Sequence, residues 1–284
     1  MKAADFKIRD PFILPWEGTY YLYASDYIHD FTVRTSSDLE NWSEPRKVTN
    51  LPAHFWATRD FWAPEVHFYR GSFYLFATMF SETRNRGTQI FRADSPLGPF
   101  LPISDGPATP EDWMCLDGTL FVEDGQPWMV FCHEWLQVGN GTMCRIPLSQ
   151  DLTQAIGEPV EMFAALDYSF VRRCPGVKLD PTGGYVTDGP FFHRCADGSL
   201  LMIWSSFGEK GYLQSVLRSD NGRLDGKWLA QPLLFDTDGG HGMLFRDFGG
   251  QLRLALHHPN AGPERLKLFR LEEAEGTLRV LPEE

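Results

Sequence analysis

One self-similar unit recurs five times along this chain of 284 residues, and it constrains the fold more than any other feature. Each copy opens on a small, acidic or histidine residue, continues as an apolar run, turns at a glycine and returns as a run rich in Tyr, Phe, Leu and Trp. The copies open at residues 10, 63, 117, 188 and 241, so steps of 53 or 54 residues are interrupted by one of 71. Two strand-length runs joined by a glycine-containing turn are typical of a β-hairpin.

Further strand-like segments lie between the copies, for example at 31–35 and 88–92, and each is followed by a turn. About four strands per unit is the pattern of a propeller blade. No segment carries a sustained helical period. The sequence therefore predicts an all-β fold, a five-bladed β-propeller in which residues 1–284 form a single domain. An irregular β-sandwich is the alternative, and the near-constant spacing favours the propeller. The one long step predicts an enlarged loop within 150–185.

Composition and charge exclude several classes of protein. Lys and Arg number 26 and Asp and Glu 38, and the resulting net charge of −12 argues against a nucleic-acid or anionic-membrane surface. The apolar runs are far shorter than a membrane span. No secretory leader follows Met1, and the five cysteines show no CxxC pair. We therefore expect a cytoplasmic protein, or a periplasmic or secreted one if a leader has been removed.

Carboxylates recur where the copies open. In a propeller the first strands line the central channel and run in the same direction, so the residues that open them meet at one mouth. Asp10, Asp117 and Asp188 occupy three of these openings, and we expect them to face one another across a narrow cavity. Mutually repelling carboxylates are costly in a partly buried site, so the pattern favours a functional cluster over ordinary Asp-Pro and Asp-Gly turns. Candidate partners for this cluster are Arg194, Arg246 and Arg253, and surface ion pairs are the alternative for each of them.

Aromatic and acidic residues also converge from the second strand of each copy, which returns to the same mouth. Glu134 and Trp135 are therefore expected on the rim beside Asp117, with tryptophans approaching from the neighbouring blade. Acids ringed by flat aromatic faces are typical of a carbohydrate site, although core packing is the alternative for each tryptophan. The candidate substrate-binding residues are Trp56, Trp62, Glu65, Trp135 and His241.

The motifs at the openings resemble those of glycoside hydrolase family 43, in order and spacing, over nearly the whole chain. They are Arg9-Asp10-Pro11-Phe12, Phe61-Trp62-Ala63-Pro64-Glu65-Val66, Leu116-Asp117-Gly118-Thr119-Leu120-Phe121, Asp188-Gly189-Pro190-Phe191 and Gly239-Gly240-His241-Gly242-Met243. The resemblance implies a five-bladed propeller that cleaves arabinose- and xylose-containing glycans with inversion, and makes 1–284 a catalytic domain.

The resemblance also implies a role for each acid. Asp10 corresponds to the general base, and Asp117 to the residue that tunes the pKa of the acid and holds it in place. The acid itself opens the fourth blade, where the family has Glu-Gly-Pro and this chain has Asp188-Gly189-Pro190. The aspartate is one methylene shorter, and a misplacement of about 1 Å can cost about 100-fold in rate. Glu134, expected on the same rim, is the alternative acid.

His241 is the one candidate metal ligand. The resemblance implies that it lies at the channel and holds a metal ion or a water beneath the sugar. A single histidine outside any His/Cys cluster is weak evidence for a metal, and a hydrogen-bonded core histidine is the alternative. We expect no cofactor to be required, and the one candidate metal is a single structural calcium ion in the channel.

Together these features predict an inverting glycoside hydrolase of the α-L-arabinofuranosidase or β-xylosidase type. It would release arabinofuranosyl or xylosyl units from plant-type oligosaccharides, with Asp10 as base and Asp188 or Glu134 as acid. A non-catalytic carbohydrate-binding propeller is one alternative, suggested by the aspartate at 188. A related five-bladed glycosidase acting on a galactosyl or fructosyl unit is another.

Overall fold

The computed structural model describes residues 1–25 and 30–282, and in that part of the chain twenty strands form five antiparallel sheets of four. Each sheet is a meander in chain order. Blade one is β1 (Phe12–Trp16), β2 (Thr19–Ser25), β3 (Phe31–Ser36) and β4 (Arg46–Lys47). Blade two is β5 (Arg59–Tyr69), β6 (Ser72–Ser81), β7 (Arg84–Ala93) and β8 (Leu101–Pro102). Blade three is β9 (Cys115–Glu123), β10 (Gln126–His133), β11 (Thr142–Pro147) and β12 (Val160–Ala164). Blade four is β13 (Asp188–Arg194), β14 (Leu200–Gly208), β15 (Gly211–Ser219) and β16 (Trp228–Ala230). Blade five is β17 (Gly240–Arg246), β18 (Leu252–His258), β19 (Arg265–Ala274) and β20 (Thr277–Val280).

The first strands of neighbouring blades contact one another around the ring, so the predicted all-β, five-bladed β-propeller is confirmed. The enlarged loop predicted between the third and fourth copies is largely the segment 168–187, which carries no strand. Helical structure in the described residues is confined to 3₁₀ turns at Ala3–Asp5 and Ala165–Asp167 and one α-helical turn, α1, at Trp135–Val138. No helix there is both long enough and apolar enough to span a lipid bilayer.

The second strands form the middle of the fold. Strand β6 is buried at every position but one, and β14 is buried from Leu200 through Ser206. A strand with another blade on both faces needs apolar residues on both, so it is a continuous hydrophobic run instead of an alternating one. Trp204, which is fully buried, contacts Phe163 of the third blade in this way. The apolar core therefore lies between blades, and the channel mouth is left to polar side chains.

Candidate active site

Near the start of each first strand lies one residue in the left-handed backbone region, at the equivalent place in all five blades. These residues are Asp10 (φ 49°), Ala63 (φ 45°), Asp117 (φ 55°), Gly189 (φ 50°) and His241 (φ 49°). A left-handed conformation costs a residue with a side chain roughly 1–2 kcal/mol, and such strain is concentrated at functional sites. The repeat therefore turns one residue per blade towards the channel mouth.

The sequence predicted that Asp188 occupies the same position in its blade as Asp10 and Asp117 do in theirs. In the fourth blade that prediction is wrong by one residue. Gly189 occupies the left-handed position, and Asp188 precedes it. A Cβ on Gly189 would lie 2.7 Å from Cδ2 of His241, so the imidazole of the fifth blade packs directly on this glycine. Asp188 consequently approaches the mouth from a different backbone position than the other two aspartates.

Asp10 is surrounded by nitrogen atoms. Its Oδ1 lies 3.2 Å from Nδ1 of His241, 3.3 Å from Nδ1 of His257 and 3.7 Å from Nε of Arg9. Burial alone would raise the pKa of Asp10, but His241 and Arg9 outweigh it and hold that pKa well below the usual range. Asp10 is therefore ionised at neutral pH, as a general base must be.

Asp117 and Asp188 form a buried acidic pair with the opposite tendency. Burial and the charge of Asp117 raise the pKa of Asp188 to about 7, and burial and the charge of Asp10 raise that of Asp117. Two close carboxylates cannot both ionise cheaply, so the pair holds a proton near neutral pH. Oδ2 of Asp117 accepts the backbone N–H of Gly189 at 3.0 Å, and Oδ2 of Asp188 accepts the phenolic O–H of Tyr212 at 2.8 Å, so the proton belongs to the pair, and Asp188 is the member that titrates near neutral pH.

These three carboxyl groups line a cavity of about 550 Å³ at the channel mouth. The other described residues around it include three cationic side chains, two tryptophans and part of the long loop. They are Arg9, Ser25, Trp62, Arg86, Leu116, Glu134, Trp135, Leu136, Cys174, Pro175, Val177, Lys178, Leu179, Val186, Phe207 and His241. Trp62 is 38% exposed, so one face of its indole is available to a ligand. The cavity has the size and mixed lining of a small-ligand site.

Glu134, the alternative acid, is held by a buried arginine. The Arg86 guanidinium donates to Oε2 of Glu134 and, at 2.7 Å, to Oδ2 of Asp60, while its Cζ lies 4.4 Å from the centre of the Trp62 ring. Burial raises the pKa of Glu134, and Arg86 opposes that rise. The pKa of Glu134 stays above its ordinary value, but the charge-assisted hydrogen bond from Arg86 favours the ionised form and occupies Oε2. The geometry therefore favours Asp188 over Glu134 as proton donor and makes Glu134 part of the support for Trp62.

The remaining predicted residues divide between the cavity and its surroundings. Trp135 lies on α1 and lines the cavity, but it is mostly buried. Glu65 lies below the cavity, in the channel, where its Oε2 pairs with Nε2 of His67 at 2.9 Å. Trp56 is not among the described residues that line the cavity, because its Nε1 donates to Oε1 of Gln89 at 2.8 Å and its ring packs in the core of the first two blades.

The arginines expected beside the acids lie elsewhere. Arg194 donates to the carbonyls of Gly198 and Gly222, Arg246 pairs with Glu273 at 2.6 Å, and Arg253 pairs with Asp247 at 2.6 Å. The site uses Arg9 and Arg86 instead. Arg9 could have been found from its position next to Asp10. Arg86 carried no sequence signal, since it lies within β7, outside every recurring motif.

A calcium ion does not fit the channel beneath Asp10 as it stands. Calcium takes six to eight oxygen ligands, and the space there, bounded by Asp10, Glu65 and His241, is about 10 Å³, enough for one water. The buried Oδ1 of Asp10 faces histidine nitrogens and Arg9, and Oε2 of Glu65 is taken by His67.

Removal of divalent metal ions is accordingly expected to leave catalysis intact. After incubation with excess EDTA and desalting, kcat/KM should change by less than about twofold, because a buried aspartate activates water without a metal. Steady-state assays of treated and calcium-supplemented enzyme provide the measurement. A loss above tenfold that calcium restores would show that a metal ion takes part in catalysis.

Replacement of Glu134 by Gln tests whether Glu134 is the proton donor. We expect kcat/KM to fall by a similar factor on substrates with good and with poor leaving groups, because the variant weakens the Arg86–Trp62 support and removes no proton donor. The melting temperature should also fall, since Arg86 is left with one charged partner, a loss of about 1–3 kcal/mol. A loss confined to poor leaving groups would instead make Glu134 the acid.

The fold and the site together define a class of protein. A channel mouth that combines an ionised carboxylate, a carboxyl group protonated near neutral pH and an exposed indole provides what hydrolysis of a glycosidic bond requires. The arrangement is that of a glycoside hydrolase.

The comparisons with known proteins agree. The profile described as "Glycosyl hydrolases family 43" matches residues 4–271. A solved structure titled endo-arabinase from Bacteroides thetaiotaomicron VPI-5482 is 36% identical, with a TM-score of 0.92 over 97% of this chain and 98% of that one. A thermostable family-43 glycoside hydrolase is 25% identical, with a TM-score of 0.80 over 98% and 93% of the two chains. Comparison with curated proteins gave no match.

An α-L-arabinofuranosidase from Lactobacillus brevis, at 18% identity and a TM-score of 0.75 over 99% of both chains, shares the fold. Since the family profile covers nearly the whole chain, this protein belongs to glycoside hydrolase family 43. The resemblance carried by the sequence motifs is thereby confirmed, and the protein is a glycosidase.

Proposed function

We propose that this protein hydrolyses α-L-arabinofuranosyl or β-D-xylosyl linkages of plant-type oligosaccharides with inversion at the anomeric carbon. Asp10 is the general base, Asp188 the general acid and Asp117 the residue that keeps the acid protonated. The observation that carries the proposal is the opposed charge states of two carboxyl groups at one cavity. The pKa of Asp10 is held low by His241 and Arg9, and that of Asp188 is raised to about 7 by burial and Asp117.

The reaction follows from these charge states. Asp10 takes a proton from a water whose oxygen attacks the anomeric carbon, while the bond from that carbon to the glycosidic oxygen breaks. Asp188 gives its proton to the departing oxygen, so the leaving group departs as a neutral alcohol. Afterwards Asp10 is protonated and Asp188 ionised, and exchange with solvent restores both. Trp62 offers the exposed face on which a sugar ring can stack.

The sugar class rests on family membership and on one relative. The structure that is 36% identical over almost the whole chain is titled an endo-arabinase, which makes arabinose-containing glycans the first substrates to test. The cavity at about 550 Å³ is large enough for a few sugar units. Xylosyl substrates are the second choice.

The deciding experiment combines substrate screening with product stereochemistry. Aryl α-L-arabinofuranosides, aryl β-D-xylosides and linear arabino- and xylo-oligosaccharides are incubated with the protein, together with galactosyl and fructosyl controls. The first-formed anomer is read by proton NMR before mutarotation. Inversion on an arabinosyl or xylosyl substrate supports the proposal. Retention, or turnover of the galactosyl or fructosyl controls alone, would overturn it.

A further inference from the structure

We propose that Tyr212 and His257 form one positioning unit that holds the acid and the base of this site in a fixed relation. Tyr212 fixes the carboxyl group of Asp188 so that the oxygen carrying the proton faces the cavity, and His257 fixes the backbone of Asp10. The inference rests on the proposed function, since it assigns Asp188 and Asp10 their catalytic roles. Neither Tyr212 nor His257 belongs to the motifs that carry the family resemblance.

The first contact joins Tyr212 to the acid. Its phenolic O–H donates to Oδ2 of Asp188 at 2.8 Å. Oδ1 has no hydrogen-bond partner among the residues that the structure describes, and Asp188 lines the cavity. A carboxyl oxygen that accepts a hydrogen bond is the less favourable place for a proton, so the proton is directed to Oδ1. Tyr212 thus determines which oxygen can donate to a leaving group.

The second contact joins His257 to the base. The backbone N–H of Asp10 donates to Nδ1 of His257 at 3.2 Å, so in the neutral ring Nδ1 is the acceptor. The ring proton is then on Nε2, which donates to Oδ1 of Asn260 at 3.2 Å. The hydrogen bond to Nδ1 occurs at the residue whose left-handed backbone aims the base at the mouth. His257 therefore stabilises the strained conformation on which the position of the base depends.

The two side chains are stacked on each other. Their ring centroids are 5.7 Å apart and the planes are inclined by only 16°. Both are almost completely buried. Gly240 makes room for Tyr212, since a Cβ there would lie 2.8 Å from Cε1 of this ring. The stack connects β15 of the fourth blade with β18 of the fifth, so it joins the side chain that contacts the acid to the one that contacts the base.

The need for such a unit follows from the geometry of a carboxyl group. The two oxygens of an aspartate lie in one plane and turn together about one bond, so one hydrogen bond to one oxygen is enough to orient the other. Orientation matters because a displacement of about 1 Å at a reacting group can cost about 100-fold in rate. The charged or titratable groups that act on Asp188 from the surrounding elements are Asp10, Arg9, Asp117, Cys132, Cys174, Tyr212 and His241. Of these, Tyr212 is the one that donates a hydrogen bond to its carboxyl group.

Replacement of Tyr212 by Phe removes the hydroxyl and keeps the ring stacked on His257. On a substrate with a poor, alcohol-like leaving group we expect kcat/KM to fall by about 10- to 100-fold, because the acid is no longer oriented. On an aryl glycoside with an activated leaving group, which needs no proton, the fall should stay within about threefold. A merely structural role would lower both values by the same factor.

The matched control is Tyr23→Phe. Tyr23 is also fully buried, and its hydroxyl donates to the carbonyl of Pro96 at 2.6 Å, away from the cavity. This variant should leave the ratio of the two kcat/KM values unchanged. A second variant, Tyr212→Leu, removes the stack as well as the hydroxyl, so activity on both substrates should fall because Asp10 also loses support. Melting temperatures establish that each variant is folded.

Equal loss on both substrates in Tyr212→Phe, or no loss on either, would overturn the inference. Wild-type enzyme and Asp188→Asn are run beside it so that the two proposals can fail separately. If wild type inverts and Asp188→Asn loses only the poor leaving group while Tyr212→Phe does not, the positioning unit is wrong and the function stands. If wild type turns over neither substrate, the proposed function is what has failed.

Discussion

Replacement of Asp10 by Asn is expected to lower kcat by about 10³- to 10⁴-fold, on good and poor leaving groups alike, because the attacking water loses its base. The change is isosteric, and asparagine tolerates the left-handed backbone found here, so the position of the side chain is kept. The nitrogen atoms of His241, His257 and Arg9 then face an amide instead of a carboxylate. Oligosaccharide binding, measured by calorimetry, should persist.

Asp124→Asn is the matched control for this variant. Asp124 also has a left-handed backbone (φ 50°), but it lies in the turn between β9 and β10 and pairs with Arg223 on the surface. Its replacement should change kcat by less than about twofold. An Asp10→Asn protein that is folded and retains more than a tenth of wild-type kcat would show that Asp10 is not the base.

Replacement of Asp188 by Asn is expected to produce the second large effect, a loss that depends on the leaving group. On poor leaving groups kcat/KM should fall by about 10²- to 10⁴-fold, whereas on activated aryl glycosides the loss should be far smaller. In wild type, with the pKa of Asp188 raised to about 7, kcat/KM on poor leaving groups should fall about tenfold per pH unit above that value. Asp188→Asn, assayed on activated aryl glycosides, should show no such decline of kcat/KM above pH 7.

The same substitution is expected to stabilise the folded protein in alkaline buffer. Because the folded state raises the pKa of Asp188, it binds this proton more tightly than the unfolded chain does, and folding loses stability as the pH rises from about 4 to about 7. The asparagine of the variant has no proton to lose, so Asp188→Asn should raise the melting temperature at pH 8. The expected gain in the free energy of unfolding at pH 8 is on the order of 2 kcal/mol, a value kept small because the carboxyl group opens onto the cavity. The gain should vanish at pH 4.

Leaving-group assays at several pH values and thermal melts at pH 4 and pH 8 test these expectations together. A variant that loses all substrates equally, or melts at the same temperature as wild type at pH 8, would contradict the assignment of a protonated Asp188. Glu134→Gln serves as the comparison, because its carboxylate is paired with Arg86.

Most of the fold follows from repetition. Five hairpins with near-constant spacing can bury their apolar runs only against one another, and all first strands then share one direction. That argument is sufficient to bring Asp10, Asp117 and His241 to one mouth, and adjacency alone adds Arg9. This argument requires no knowledge of side-chain packing. The period of the chain therefore predicts the same propeller that the family motifs imply.

The side chains that form hydrogen bonds with the acids could not be predicted from the repeat. Arg86 reaches Glu134 from a strand of another blade, and Tyr212 reaches Asp188 from the third strand of the same blade. Both are single residues without a recurring pattern, and only the packing of strands and blades decides where such side chains point. Trp56 shows the converse, since its place in the sequence near Trp62 suggested the cavity and its hydrogen bond to Gln89 directs it elsewhere.

The sequence by itself determined the five blades, the channel mouth and the group of acids gathered there, because these depend on the period of the chain and on strand direction. Only the tertiary structure decided which acid holds a proton. Spacing put Asp188 in register with Asp10, but Gly189 takes the left-handed position under His241, and Asp188 is displaced by one residue. The pKa of each carboxyl group then follows in large part from a neighbour in another blade, His241 beside Asp10 and Asp117 beside Asp188, which no linear pattern records.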